Sequence, residues 1–255
     1  MRIFAISNQK GGVGKTTTTV NLAASLMNRK KKVLLIDLDP QGNATSGSGL
    51  NKKNITKSIY DVLIGREDIK NVIQTSVESF FDVVPATQSL AGAEVELVNI
   101  EEREYILKKQ LSKLKYYDYI LIDCPPALSL LTVNALVASN SVLIPMQCEY
   151  YALEGLSDLV NTIKKVKKNL NPQIEIEGLL RTLFDRRNTL GKQVSDQLSA
   201  HFGDKVYSTI IPRNVRLAEA PSHGKAALFY DKSSKGARAY LDLADEILER
   251  NKHGN

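Results

Sequence analysis

Ser7-Asn8-Gln9-Lys10-Gly11-Gly12-Val13-Gly14-Lys15-Thr16-Thr17 decides how the chain is read. Before it, Arg2-Ile3-Phe4-Ala5-Ile6 is short, apolar and largely β-branched or aromatic, which predicts a buried strand. After it, Thr18 to Met27 places Val20, Leu22, Ala23, Ala24 and Leu26 at helical spacing. Strand, glycine-rich loop and helix in that order let backbone N–H groups and the positive end of the helix hold phosphate oxygens. Gly11, Gly12, Val13, Gly14, Lys15, Thr16 and Thr17 are the candidate cradle. Lys15 is expected to reach the β- and γ-phosphates, and the Thr16 hydroxyl to ligate Mg²⁺. The fit to G-x-x-x-x-G-K-[ST] is incomplete, because Gln9 stands at the first glycine position and Lys10 follows it. The bland alternative is a glycine-rich turn with no ligand.

Two acid-ended strands are expected further on. Lys32-Val33-Leu34-Leu35-Ile36-Asp37 leads into Leu38-Asp39-Pro40-Gln41-Gly42-Asn43. Tyr117-Asp118-Tyr119-Ile120-Leu121-Ile122-Asp123 leads into Cys124-Pro125-Pro126. Carboxylates at the carboxyl ends of parallel strands sit where open α/β sheets bind ligands. For Asp37 and Asp39, the alternative is capping of the turn before Pro40.

The form K-G-G-V-G-K-T-T resembles the deviant Walker A loop of the ParA/MinD ATPases. So do D-L-D-P-Q-G-N (37–43), I-D-C-P-P (122–126), E-Y-Y-A-L-E-G (149–155) and I-P-R-N-V-R-L-A-E-A-P-S (211–222), the last closest to the chromosomal ParA/Soj branch. The resemblance implies a SIMIBI-type P-loop NTPase using ATP and Mg²⁺. Lys10 would cross a dimer interface to the partner's nucleotide; contact with ATP in its own subunit is the alternative. Asp39 would orient the attacking water, and Asp123, with Asp37 as a weaker candidate, would hold Mg²⁺ through water. The backbone at Pro212 and the Asn214 side chain would meet adenine. Residues 149–155 would lie near the dimer interface, or form a helix start with an acidic first turn.

The net charge is +6, and residues 181–238 carry all of that surplus, with eleven Lys/Arg against five Asp/Glu. Such local excess suggests a polyanion partner, or else a solvated basic face. The resemblance places DNA contacts at Arg187 and Arg216. Arg186, Arg213, Lys225, Lys232, Lys235 and Arg238 are added on charge alone. With no sequence-reading module in the chain, non-specific double-stranded DNA binding is expected.

No stretch approaches 18 apolar residues, and the first residues enter a strand directly, so a cytoplasmic protein is expected. Cys124 and Cys148 lack C-x-x-C spacing, which argues against a metal or iron–sulfur site within one chain. Residues 44–54 read as a Gly/Ser/Asn loop, and 59–63, 90–98, 101–114, 128–138 and 156–170 as helices. Residues 80–85, 141–147 and 174–180 read as strands. A closing helix over 237–250 has one apolar face and a mostly acidic polar one, followed by the tail 251–255. That face argues for docking on the core and against the basic membrane helix of a MinD-like positioning ATPase, the main alternative.

The expected architecture is one domain over 1–255, three-layered α/β/α with a mostly parallel twisted sheet. The expected function is an ATPase forming an ATP-sandwich dimer, binding DNA non-specifically at the nucleoid, and partitioning chromosomes or plasmids with a ParB-type partner that stimulates hydrolysis. A ligase of the dethiobiotin synthetase kind on the same scaffold is a further alternative.

Overall fold

The computed structural model describes residues 1–150 and 152–252. Its strands are β1 (Arg2–Ile6), β2 (Val33–Asp37), β3 (Gln74–Thr75), β4 (Asp82–Val84), β5 (Tyr119–Asp123), β6 (Ser141–Gln147), β7 (Glu175–Phe184) and β8 (Val206–Pro212). They form one sheet in the order β3-β4-β2-β5-β1-β6-β7-β8. Every neighbouring pair is parallel except β3 with β4.

The helices are α1 (Lys15–Asn28), α2 (Asn43–Gly47), α3 (Ile59–Leu63), α4 (Leu90–Glu96), α5 (Ile106–Leu111), α6 (Leu130–Ala138), α7 (Ala152–Asn169), α8 (Thr189–Phe202), α9 (Val215–Glu219), α10 (Ala227–Tyr230) and α11 (Lys235–Arg250).

Two cores explain the unbroken apolar runs of the central strands. Ile3 and Ala5, Leu34 and Ile36, and Ile120 and Ile122 face one core, shared with residues of α3 to α8. Phe4 and Ile6, Val33 and Leu35, and Tyr119 and Leu121 face the other, shared with α1, α10 and α11. Successive side chains alternate between faces, and helices cover both, so neither face has polar residues to interrupt the run.

Helix α11 packs Ala237, Tyr240, Leu243, Ala244 and Ile247 into the second core. Glu246, expected on its solvated face, instead accepts the backbone N–H groups of Ser208 and Thr209 on β8. Among the described residues, no helix is long and apolar enough to cross a membrane. Of the tail, 253–255 lie outside the described residues, as does Tyr151 of the 149–155 stretch.

Local expectations need correcting in four places. The loop expected over 44–54 contains α2 and a 3-10 turn at Lys52–Asn54. The helix expected over 101–114 is a 3-10 turn followed by the shorter α5. Helix α7 starts earlier than expected, at Ala152, and α8 falls where no helix was read. The 44–54 helix is missed because its small polar residues carry no apolar period, although Ala44 and Thr45 are fully buried.

Candidate nucleotide site

β1 lies between β5 and β6; the chain leaves β1 for β2 on one side and later crosses from β5 past β1 to β6 on the other, so the strand order reverses there. A crevice opens at the carboxyl ends of the strands at such a reversal. The glycine-rich loop fills it. Gly12 and Gly14 have φ of 73° and 84°, the left-handed region a side chain disfavours. Gly14 caps α1 without a side-chain bond, leaving the first-turn N–H groups for a ligand.

A cavity of about 400 Å³ follows, lined by Gly11, Gly12, Gly14, Lys15, Thr16, Thr17 and Asp39 at one end. Ile211, Asn214, Leu217 and Ala218 line it as well, together with Pro126, Thr182, Leu183 and Tyr240. Lys15 is buried, and its Nζ donates to the Lys10 carbonyl at 3.1 Å. Burial lowers its pKa, opposed by the negative field of Asp123. The Thr182 hydroxyl donates to the Val13 carbonyl at 2.7 Å and ties β7 to the loop.

Asp37 and Asp123 stand opposite each other in the β2–β5 register, both fully buried. Thr16 and Thr19 hydroxyls donate to the Asp123 oxygens at 2.7 and 2.9 Å. Asp37 accepts the Asp39 N–H and both the N–H and hydroxyl of Thr45, so it organises the turn leading to α2. Burial pushes both carboxyls up; for Asp123, repulsion from Asp37 adds to it. Two crowded buried acids beside a threonine hydroxyl are a donor set that suits a hard divalent cation, which Thr16 and Asp123 could hold between them. Among the described residues, no cluster of three or more His, Cys, Asp or Glu side chains offers another metal site, and both cysteines are buried thiols.

An acid with a raised folded pKa stabilises the fold fully below the ordinary carboxylate range. That contribution is lost as pH rises through the raised value. Asp123→Asn should therefore melt above the parent in the absence of ligand, by roughly 3–8 °C at pH 8. The gap should shrink as pH falls, and the stabilisation by magnesium and nucleotide should disappear. Calorimetry across a pH series reads all three effects.

The chain has close relatives. Residues 1–176 match the family model described as an AAA domain. The sporulation initiation inhibitor protein Soj of Bacillus subtilis is 57% identical over 247 residues, covering 96% of this chain and 98% of its own. The chromosome partitioning protein ParA of Myxococcus xanthus is 53% identical over 250 residues, covering 98% of this chain and 88% of its own.

The chain belongs to the ParA/Soj family.

A solved structure, the cobyrinic acid a,c-diamide synthase of Mycobacterium smegmatis with bound ATP analog and magnesium, aligns with a TM-score of 0.87. It is 36% identical and covers 100% of this chain and 97% of its own. Identity over nearly full length thus favours the partitioning branch of this scaffold over the synthase.

In this ParA/Soj chain, Lys10 is half-exposed and its Nζ pairs with Glu149 Oε2 at 2.5 Å. Asp39 lines the cavity, with Oδ1 held by the Gln41 N–H at 2.9 Å. Asn214 lines the cavity too, whereas Pro212 lines a second one. That neighbour, about 620 Å³, is bounded by Arg186, Arg187, Arg213, Lys235 and Arg238 over an apolar floor including Phe184 and Ile210. Among the described residues, no carboxylate lies at ion-pair distance from Arg186, Arg213, Lys235 or Arg238, although Asp185 and Asp242 line the same cavity and the Arg213 charge helps to lower the pKa of Asp185. Arg187 is exposed but pairs with Asp185 at 2.7 Å, and Lys225 pairs with Glu78 at 3.2 Å. Lys232 is exposed. Arg181, counted in the basic surplus, is buried on Ser195 and the Tyr207 and Ser208 carbonyls, so the surface excess is smaller than the sequence count.

Sequence reading missed Thr182, Leu183, Tyr240 and Glu149. Leu183 has φ of 51°, a strained value for a branched side chain, at the wall of the cavity. Tyr240 reaches the loop helix through a 3.0 Å bond with the Thr18 hydroxyl. Thr182, Leu183 and Tyr240 belong to no local motif; Glu149 opens the E-Y-Y-A-L-E-G stretch, whose spacing does not tell that it pairs with Lys10.

Proposed function

We propose that this chain is an ATPase domain that hydrolyses ATP with Mg²⁺, dimerises around the nucleotide, and in that state holds duplex DNA non-specifically at the nucleoid. The observation that carries the proposal is the pair of adjoining cavities. One has the phosphate loop and Thr16, whose hydroxyl donates to the buried Asp123; the other gathers Arg186, Arg213, Lys235 and Arg238, none in an ion pair among the described residues, beside Asp185 and Asp242. The chromosome-partitioning ParA relative supports a role in partition; a plasmid cargo and stimulation by a ParB-type partner are carried by the family resemblance alone.

Thr16 and Asp123 would hold Mg²⁺, which would supply positive charge to the phosphate oxygens. The loop N–H groups and Lys15 neutralise the triphosphate and fix its direction. Asp39 accepts the proton of the attacking water and holds that water toward the phosphate. Lys10, released from Glu149, supplies a cation to the partner's nucleotide. Arg186, Arg187, Arg213, Lys235 and Arg238 meet backbone phosphates, which gives affinity without base readout. Arg216, Lys225 and Lys232 extend that surface; the first and second have acid partners already and contribute less.

The deciding experiment measures duplex binding with ATP, ADP and no nucleotide across a salt series. Binding should need ATP and weaken steeply with salt. Equal affinity in all three states would defeat the proposal. Arg238→Glu should lower duplex affinity about tenfold and reduce the salt slope by about one, leaving nucleotide affinity unchanged.

A further inference from the structure

The two cavities share no lining residue, but the same segments bound both, with Leu183, Ile211 and Asn214 at one and Phe184, Pro212 and Arg213 at the other, and one network of contacts runs between them. Asn214 lines the nucleotide cavity and caps α9 by accepting the Arg216 N–H at 3.1 Å. The Arg216 guanidinium pairs with Glu219 at 2.7 Å and with Asp231 Oδ2 at 3.3 Å. The other Asp231 oxygen accepts the Ser233 N–H at 3.0 Å and its hydroxyl at 2.6 Å. The Asp231 carbonyl accepts the Ser234 N–H at 3.1 Å. Ser234 in turn caps α11, accepting the Ala237 N–H at 3.2 Å. The first turn of α11 then presents Lys235 and Arg238 to the basic groove.

A direct contact runs in parallel. A Cβ at Gly236 would stand 2.5 Å from Leu217 Cγ and 3.1 Å from Asn214 Oδ1. Leu217 and Asn214 both line the nucleotide cavity. The start of α11 therefore rests on the walls of one cavity while its outward cations line the other. Arg216 is spent on two carboxylates within this join, so its charge is largely compensated before any polyanion arrives.

We infer that Asp231 is a positioning residue: through Arg216 it ties the Asn214 end of the nucleotide cavity to the placement of Lys235 and Arg238 in the groove. The inference rests on the nucleotide-gated duplex binding proposed above. It adds a route inside one subunit, separate from dimerisation. Ligand at Asn214 and Leu217 shifts α9; Arg216 and Asp231 carry that shift to the capped start of α11; the groove cations move with it.

The test uses the full chain with a non-hydrolysable ATP analog or with ADP, and a short mixed-sequence duplex as the probe. It reads the ratio of duplex affinities in the two states, with dimerisation followed by sedimentation. Asp231→Asn keeps the acceptor for Ser233 and removes the charge that Arg216 needs. The ratio should fall roughly fivefold or more while the analog-bound dimer persists, and Asp231→Glu should restore much of it. An Arg216 that acts only as a surface cation gives the opposite pattern: Asp231→Asn strengthens binding in both states equally and leaves the ratio alone. That result, or loss of the dimer, overturns the inference. Gly236→Ala perturbs the direct contact and should also lower the ratio, which covers the case of an unstable Asp231 variant. A parent ratio near one would instead defeat the function proposal, so the two failures are distinguishable.

Discussion

Lys15→Ala is expected to lower ATP affinity at least about 100-fold while the chain stays folded. The Lys15 ammonium is buried, and its one protein hydrogen bond goes to a neutral carbonyl. Its burial is thus poorly offset without a ligand, which is why its pKa falls. Two phosphate groups would supply the missing charge. Losing charge-assisted bonds in a partly dry site costs about 3 kcal/mol or more, which is the affinity loss stated. The apo protein loses no ion pair in the exchange, so its melting temperature should move by only a few degrees. Fluorescent-nucleotide titration and calorimetry together check this. A variant that binds ATP normally would remove Lys15 from the phosphate site.

Asp39→Ala separates binding from chemistry. Asp39 is on the cavity wall, but its oxygen is engaged only by the Gln41 N–H of its own turn. The phosphate loop makes no bond to that side chain. Removal should leave ATP affinity within a few-fold of the parent and the ATP-bound dimer intact. Turnover should fall by about 10²–10⁴, the range expected for a lost general base. Single-turnover hydrolysis beside nucleotide titration gives both values. Normal turnover would assign the water to another group.

The strands that build the site were readable because each of β1, β2 and β5 is an apolar run ending at the ligand rim. The loop and the two acids could be placed for the same reason: they begin where the apolar run stops. Helix α8 was not readable, since only Gly191, Val194, Ser195 and Leu198 are buried along it. The remaining walls of the site come from chain-distant contacts. Thr182 meets Val13 across 169 positions, and Tyr240 meets Thr18 across 222. Such pairings depend on sheet order, which no local pattern encodes. Charge counting failed at Arg181 for a related reason: a cation in mid-strand cannot be told from the exposed Arg186 and Arg187 until the sheet closes over it.

The Lys10–Glu149 pair sets how readily the loop changes allegiance. Both side chains are about half in water, 43% and 52% exposed, and a pair so placed is worth about 0–1 kcal/mol. A tether that weak keeps the lysine near the rim and out of stray contacts, yet yields to any multiply charged anion brought within reach. In the dimer proposed above, a hand-over of Lys10 to a second molecule's triphosphate would therefore meet almost no resistance from its own subunit, and its timing would be left to the encounter between the two copies.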